Sequence, residues 1–211
     1  SDMVLMDDNF ATIVAAVEEG RIIYDNIKKY LVYLLSANIG EIFVLGFAGL
    51  VGLPLPLLAL QILWVNLTTD GPPALALGVE PPEPDLMRRP PRAAEEPVFT
   101  TGMYVAMLGM GLIMFFGLLP VFYGYWQAEG VTKGRTMVLV SMILFELLRA
   151  FSCRSMRFTI LQLGPFTNGW LVLATIGSAL MMVAVIYIPS WAKAFHTVPI
   201  SLGDWSVALA V

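Results

Sequence analysis

Long apolar stretches alternate with short polar ones along most of this chain. A membrane-spanning helix needs about 20 mostly apolar residues. Stretches of roughly this kind cover residues 30–52, 57–77, 103–126, 136–153 and 170–188, and a shorter one, 199–211, follows them. The pattern predicts an all-α membrane protein. We expect a bundle of five full transmembrane helices plus a partial sixth, with a short cytoplasmic N-terminal segment.

Polar and turn-forming residues divide these stretches. Asp7, Asp8 and Asn9 offer a helix N-cap, and apolar residues follow at helical spacing from Phe10. Gly71, Pro72 and Pro73 interrupt the second stretch, because proline cannot continue a regular helix. A loop rich in proline and charge, 80–101, separates the second stretch from the third. We interpret this loop as a docking strap against a soluble domain, with a passive connector as the alternative.

Composition agrees with a membrane protein. Hydrophobic residues make up 58% of the chain and charged residues 13%, whereas a soluble domain carries about 25% charged residues. The small net charge of −4 argues against nucleic acid as a partner. Cys153 is the single cysteine in the sequence, so an internal disulfide is excluded.

The placement of lysine and arginine predicts the orientation. The residues before the first apolar stretch and two later loops carry eight basic residues, whereas the loops expected on the opposite side carry three. By the positive-inside rule, the eight-residue side is cytoplasmic. The eight are Arg21, Lys28, Lys29, Arg88, Arg89, Arg92, Arg154 and Arg157, and the three are Lys133, Arg135 and Lys193.

Three polar clusters lie inside the apolar stretches. An ionisable group in hydrocarbon costs roughly 2.5–3.5 kcal/mol on insertion scales, so such groups usually meet each other or a ligand. Within each cluster the spacing is i, i+3 or i, i+4, which places the members on one helix face. The clusters are Asn38 with Glu41, Asn66 with Thr69 and Asp70, and Glu146 with Arg149.

Six of these residues offer oxygen, and none is histidine or cysteine. Oxygen-only clusters suit a hard cation such as calcium, which takes 6–8 oxygen ligands. The alternative is a hydrogen-bond network that merely holds the helices together. Three acids beside a helix break favour the ion site. We found no phosphate-binding loop and no nucleophile paired with a base, so the sequence predicts no catalytic and no cofactor-binding residue.

Arg149 sits one helical turn after Glu146, so the two side chains can meet. Glu41, Asp70 and Glu146 together with Arg149 carry a net charge of −2, which matches one divalent ion. The alternative is that Arg149 snorkels to the cytoplasmic interface.

Two long motifs resemble a known family. The stretch DDNFATIVAAVEEGRIIYDNIKKYLVYLLSANIGEI resembles the end of the phosphorylation domain and the start of transmembrane helix five of a cation-transporting P-type ATPase. The stretch LWVNLTTDGPPALALGVEPPEPDLMRRPPR is similar to helix six and the following loop in the calcium-pump branch. FELLRAFSCRS and PISLGDW extend the likeness through the C-terminal transmembrane region.

The resemblance implies a function and a division of the chain. Residues 1–29 would be the end of the phosphorylation domain and the stalk of helix five, and 30–211 the C-terminal transmembrane domain, helices five to ten with the last incomplete. It implies an integral, multi-pass protein of the cell membrane. The metal ligands would be Asn38, Glu41, Asn66, Thr69, Asp70 and Glu146, with Arg149 modulating the site.

The same resemblance identifies the missing parts. The phosphorylation motif and the nucleotide domain of such pumps are not in this sequence, so ATP and magnesium would act only through other domains. The expected partners are the lipid bilayer, helices one to four, and the actuator, nucleotide and phosphorylation domains. The full pump would be a calcium-transporting ATPase, a translocase, and this fragment alone would be inactive.

Several alternatives stay open on the sequence. The chain could be a stand-alone membrane scaffold or regulator derived from a pump, or an ion-coupled secondary transporter. Within the pump family, manganese or another cation could replace calcium.

Overall fold

The computed structural model describes residues 9–91 and 97–211. The first helix, α1, runs from Phe10 to Leu50 without interruption. Asn9 caps it, and its side chain accepts a hydrogen bond from the backbone N–H of Ala11 at 3.0 Å. This confirms the predicted helix start; the alternative caps Asp7 and Asp8 lie outside the described residues. The polar lead-in and the first apolar stretch therefore form one helix of 41 residues.

The second apolar stretch is helical but changes its winding. Helix α2 covers Ala59–Trp64, a π-helical turn covers Val65–Asp70, and α3 covers Gly71–Gly78. The predicted helix break at Gly71, Pro72 and Pro73 is wrong, because these residues begin α3, and the irregularity is the π-helical turn that precedes them. Pro72 and Pro73 fall in the first turn of α3, where a missing N–H is tolerated.

The remaining helices complete the bundle. After a 3₁₀ turn at Leu86–Arg88, α4 covers Thr101–Glu129 and α5 covers Val131–Ser152. Gly130, with φ of 94°, forms the tight turn between them. The short helices α6, α8 and α9 cover Ile160–Leu163, Pro189–Phe195 and Leu202–Leu209, and α7 covers Gly169–Tyr187.

Helix α5 lies at the centre of the bundle. An unbroken run of its residues, 136–143, is buried, and the main apolar core surrounds it with side chains from α1, α4, α7 and α9. α1 packs closely on α4 where two glycines meet. A Cβ atom at Gly111 would lie 2.7 Å from Ile39 and 3.3 Å from the backbone nitrogen of Gly40, so only glycine permits this approach.

Three helices of the described residues are long and apolar enough to cross a membrane: α1, α4 and α7. α2 and α3 are separated by the π-helical turn, and the 22-residue helix α5 contains Lys133, Arg135, Glu146 and Arg149. α9 has eight residues. The fold is therefore that of an all-helical, multi-pass membrane protein, while the count of five full spans plus a sixth stays a prediction.

The basic residues predicted for one side of the membrane do meet at one end of the bundle. Arg21 on α1 donates to the backbone carbonyls of Leu86 and Arg89 at 3.0 and 2.9 Å, and Arg154 pairs with Glu80. At the other end, Lys133 pairs with Asp204 at 2.5 Å. Arg92, Glu95 and Glu96 of the predicted strap lie outside the described residues.

Candidate functional site: a buried carboxylate cluster

The structure brings Glu41 and Asn66 into direct contact. Glu41 lies on the buried face of α1, and Asn66 lies in the π-helical turn. The Asn66 amide donates to both carboxylate oxygens of Glu41, at 3.1 and 3.2 Å, and to the Ile62 carbonyl at 3.0 Å. Two of the three predicted clusters therefore share one site.

Asp70 and Glu146 complete the acidic part of this site. Both side chains are fully buried, with 0% exposure. Asp70 ends the π-helical turn, and this turn packs against α5, which carries Glu146. None of their four carboxylate oxygens has a hydrogen-bond partner among the described residues. Such orphaned acceptors are rare in folded proteins, because an unpaired buried polar group is expensive.

Thr69 and Asn38 have local partners. The Thr69 hydroxyl is buried and donates to the Val65 carbonyl at 2.9 Å, which leaves its oxygen able to accept or to ligate. The Asn38 amide donates to the Leu34 carbonyl of its own helix at 2.8 Å, and its side chain is half-buried. No described contact joins Asn38 to the other members, so its predicted place in the site rests on its position one turn before Glu41.

The Ser178 side chain lies within hydrogen-bond distance of two backbone carbonyls that have lost their helical donors. Because Pro72 and Pro73 have no N–H, the carbonyls one turn earlier lose their helical donors. The Ser178 hydroxyl on α7 lies 3.2 Å from the Thr68 carbonyl and 3.4 Å from the Thr69 carbonyl. These two carbonyls are therefore not left without a donor, since the Ser178 hydroxyl lies within hydrogen-bond distance of both.

Arg149 follows neither of the two predictions made for it. It does not reach the interface, because its side chain is 4% exposed and lies inside the bundle. It does not hydrogen-bond Glu146, whose oxygens are unpartnered. Its guanidinium instead donates to the Tyr33 carbonyl at 2.6 Å and to the Ser36 hydroxyl, both on α1.

Sequence reasoning missed Tyr33, Ser36 and Ser178. Tyr33 is fully buried, and the centre of its ring lies 4.9 Å from the central carbon of the Arg149 guanidinium. Tyr33 and Glu41 are eight residues apart on one face of α1, so helical spacing could have identified Tyr33. No signal in the sequence distinguishes Ser178 from Thr175, another hydroxyl residue of the same apolar helix.

A buried ion pair fixes the end of α3 that follows the site. Arg154, 1% exposed, donates to Glu80 at 2.8 Å through Nε and to the Gly164 carbonyl at 2.8 Å. The other Glu80 oxygen accepts from Asn168 at 2.6 Å, and Asn168 also caps α7. The loop after α3 is thereby attached to the segment that follows α5 and to the start of α7.

The acids alone do not make a complete metal site. Within residues 9–91 and 97–211, no three histidine, cysteine, aspartate or glutamate side chains stand close enough together to hold a metal. Glu41, Asp70 and Glu146 come from three different elements. The neutral oxygens come from Asn38, which precedes Glu41, and from Asn66 and Thr69, which precede Asp70. A cation here would require neutral oxygens and a small convergence of the helices.

These features define a class of protein: a helical membrane protein with an acidic oxygen cluster buried among its helices. The family model for the C-terminus of cation-transporting ATPases matches residues 54–211. The chain is 42% identical, over its whole length, to a calcium-transporting ATPase of Bacillus subtilis. It is 37% identical over 97% of its length to the human calcium-transporting ATPase type 2C member 1.

An endoplasmic reticulum-type calcium-transporting ATPase of Arabidopsis thaliana is 32% identical over the whole chain. The chain spans about a quarter of the length of these relatives, between 22% and 25%. It belongs to the cation-transporting P-type ATPases, in the calcium branch, and corresponds to their C-terminal region. The resemblance noted in the two long motifs is thereby confirmed.

Proposed function

We propose that this chain is the ion-binding membrane part of an ATP-driven calcium pump. One observation carries the proposal: the four carboxylate oxygens of Asp70 and Glu146 are buried and have no hydrogen-bond partner among the described residues. Buried carboxylates without donors are suited to a hard cation. The relatives' names, calcium-transporting ATPases, support calcium as that cation.

In the proposed site, six residues supply the oxygens. Glu41 and Asp70 are the strongest ligands, because each is a buried acid and they come from the two elements that the Glu41–Asn66 contact joins. Glu146 approaches from α5. The neutral ligands are Asn38, Asn66 and Thr69. Calcium is the transported substrate, and its entry would displace the Asn66 amide from Glu41 and turn the amide oxygen inward.

The rest of the pump would drive this site from outside the chain. Residues 1–29 would be the end of the phosphorylation domain and the stalk, of which 1–8 lie outside the described residues. ATP and magnesium would bind in the nucleotide and phosphorylation domains, and helices one to four would complete the transmembrane part. α1 is one rigid helix of 41 residues, so a movement at its stalk end reaches Glu41 directly.

Calcium uptake tests this function. The full-length protein that contains this chain is expressed in cells, and inverted membrane vesicles are supplied with ATP and radioactive calcium. The proposal predicts ATP-dependent uptake that Asp70→Asn abolishes. Uptake without ATP would favour a secondary transporter, and absence of any uptake would favour a scaffold. Competition by manganese in the same assay distinguishes the calcium pump from a manganese pump.

A further inference from the structure

A polar cavity opens at the predicted cytoplasmic end of the bundle, apart from the buried carboxylate cluster. Four parts of the chain form its walls: α1, the loop after α3, the start of α4 and the segment after α5. Its volume is about 250 Å³, just below the roughly 300 Å³ at which pockets for drug-sized molecules begin. Lys29 in its wall lies about 18 Å along α1 from Glu41, at about 1.5 Å per residue. The charged residues that line the cavity are Asp25, Lys28, Lys29, Glu83, Arg89 and Arg157.

The acids at this cavity already have cations as direct partners. The Arg89 guanidinium lies 2.6 Å from a carboxylate oxygen of Asp25 and also pairs with Glu83 and Asp85. The Lys29 ammonium lies 3.4 Å from the Glu83 carboxylate. These pairs reduce the repulsion that the three carboxylates would exert on an anion in the cavity.

Two further cations give the cavity a positive excess. The Arg157 side chain is 61% exposed and lies 3.5 Å from Asp85. The Lys28 ammonium lies over the Tyr24 ring, 4.5 Å from its centre. With Asp85 counted beside the lining residues, four basic groups and three acidic groups give a net charge of +1. Basic pockets at the cytoplasmic ends of transmembrane helices are typical sites for phosphate-bearing lipid headgroups.

The cavity also borders an apolar part of the surface. Met103 and Met156 line it, and Met156 is 55% exposed. Tyr104, the next residue of α4, is 52% exposed, and its ring centre lies 5.8 Å from that of Phe99. Aromatic rings of this kind are enriched at the level of the lipid headgroups. A ligand here would meet charge at one end and apolar side chains at the other, which favours a phospholipid over free phosphate.

We propose that this cavity binds the phosphate of an anionic phospholipid headgroup from the cytoplasmic leaflet, and that Lys28 and Arg157 contact it. Arginine binds phosphate oxygens through its planar fork, and lysine binds them as a point charge. Lys28 belongs to α1 and Arg157 to the segment after α5, so the bound headgroup bridges these two parts of the chain. Inorganic phosphate from the cytoplasm is the other source of the same chemistry, and the experiment separates the two.

Variants that remove one charge test the two cations. Arg157→Gln and Lys28→Gln should each weaken the binding of an anionic lipid about fivefold, because each removes one basic residue near the membrane surface. Arg157→Lys keeps the charge and should retain most of the affinity. Arg88→Gln is the matched control, because Arg88 is exposed in the same loop and lies outside the cavity lining.

Native mass spectrometry of the purified full-length protein in detergent measures this binding, with phosphatidylglycerol, phosphatidylcholine or inorganic phosphate added. The unmodified protein should bind phosphatidylglycerol at least about tenfold more tightly than phosphatidylcholine, and Arg88→Gln should keep this preference. Equal affinities for the two lipids would overturn the proposal, whether or not the variants fold. An equal loss in Arg157→Gln and Arg88→Gln would also overturn it, because general surface charge would then explain the binding. Displacement of phosphatidylglycerol by inorganic phosphate would identify free phosphate as the ligand and overturn the assignment to a lipid.

Discussion

The side-chain amide of Asn66 donates to both carboxylate oxygens of Glu41, at 3.1 and 3.2 Å. This contact joins α1, the helix that runs towards the soluble domains in the proposed pump, to the π-helical turn that carries Asp70. The amide satisfies a buried carboxylate that would otherwise stand unpaired. A cation that binds the same Glu41 oxygens would compete with this donor for the carboxylate lone pairs.

Neutralising Glu41 should weaken calcium binding. Glu41→Gln removes a negatively charged ligand while keeping the size of the side chain, and we expect the calcium affinity to fall at least about tenfold, or about 1.4 kcal/mol. Equilibrium calcium binding to the full-length protein measures this. Glu129→Gln is the matched control, because the Glu129 side chain is 52% exposed at the end of α4. Equal affinities in the two variants would remove Glu41 from the site.

Breaking the Glu80–Arg154 pair should destabilise the protein strongly. Arg154→Ala leaves Glu80, 3% exposed, as an uncompensated buried charge, and removing one partner of a buried pair costs about 3–5 kcal/mol. Arg157→Ala is the control. Arg157 is 61% exposed at its side chain and lies 3.5 Å from Asp85, so we expect a change within about 0.5 kcal/mol. Thermal unfolding in detergent compares the two. A similar loss of stability in both variants would show that the buried Glu80–Arg154 pair stabilises the fold no more than the exposed Arg157 does.

The loop after α3 should be accessible from the cytoplasm. Met87 is 42% exposed in this loop, whereas Glu83 is buried and paired, so Met87→Cys is the better probe. In a Cys153→Ser background, a membrane-impermeant thiol reagent applied to intact cells should not label Met87→Cys. Ala128→Cys, at the opposite end of α4, should be labelled. Labelling of Met87→Cys and protection of Ala128→Cys would invert the proposed topology.

The contribution of Glu83, in the loop of residues 80–101, to the stability of the fold should be lost at acidic pH. Burial raises the pKa of Glu83, but Lys29 and the hydrogen bonds from Ser155 and Arg89 outweigh it, so the net effect lowers the pKa below its ordinary value. A lowered pKa in the folded state means that Glu83 stabilises the fold fully above its unfolded value of about 4.3. This contribution is lost as the pH falls through the folded pKa.

Comparison of the unfolding temperatures of the unmodified protein and Glu83→Gln tests this linkage. The difference between them should be constant from neutral pH to about 5 and should shrink at more acidic pH. A difference that grows as the pH falls would contradict the assigned role of Glu83.

The sequence predicted the helices and the burial of the three acids Glu41, Asp70 and Glu146 because both follow from local pattern. Helical spacing places Glu41 on the buried face of α1, and hydrocarbon burial makes a lone acid such as Glu146 conspicuous. The cap at Asn9 follows from the chemistry of a single residue, whereas the break expected at Gly71, Pro72 and Pro73 is instead a π-helical turn just before them. The likeness to the family then gave calcium as the proposed cation.

Contacts between distant segments were not predictable in this way. Arg149 was expected to meet Glu146 because the two are close in sequence, but its partners Tyr33 and Ser36 come from a helix that lies more than a hundred residues away in the chain. The same is true of Ser178, which partners the carbonyls of Thr68 and Thr69. Which faces meet is determined by the packing of the whole bundle, which spacing along one helix does not reveal.

The role of Asp70 tests the central claim most directly. Phosphorylation of the full-length protein by radioactive ATP is measured at increasing calcium concentrations in the unmodified protein, in Asp70→Asn, and in Asp85→Asn as a control from the exposed loop. The account predicts that Asp70→Asn abolishes calcium-dependent phosphorylation, because a buried ligand acid is lost, and that Asp85→Asn retains it. Near-normal calcium dependence in Asp70→Asn would contradict the account.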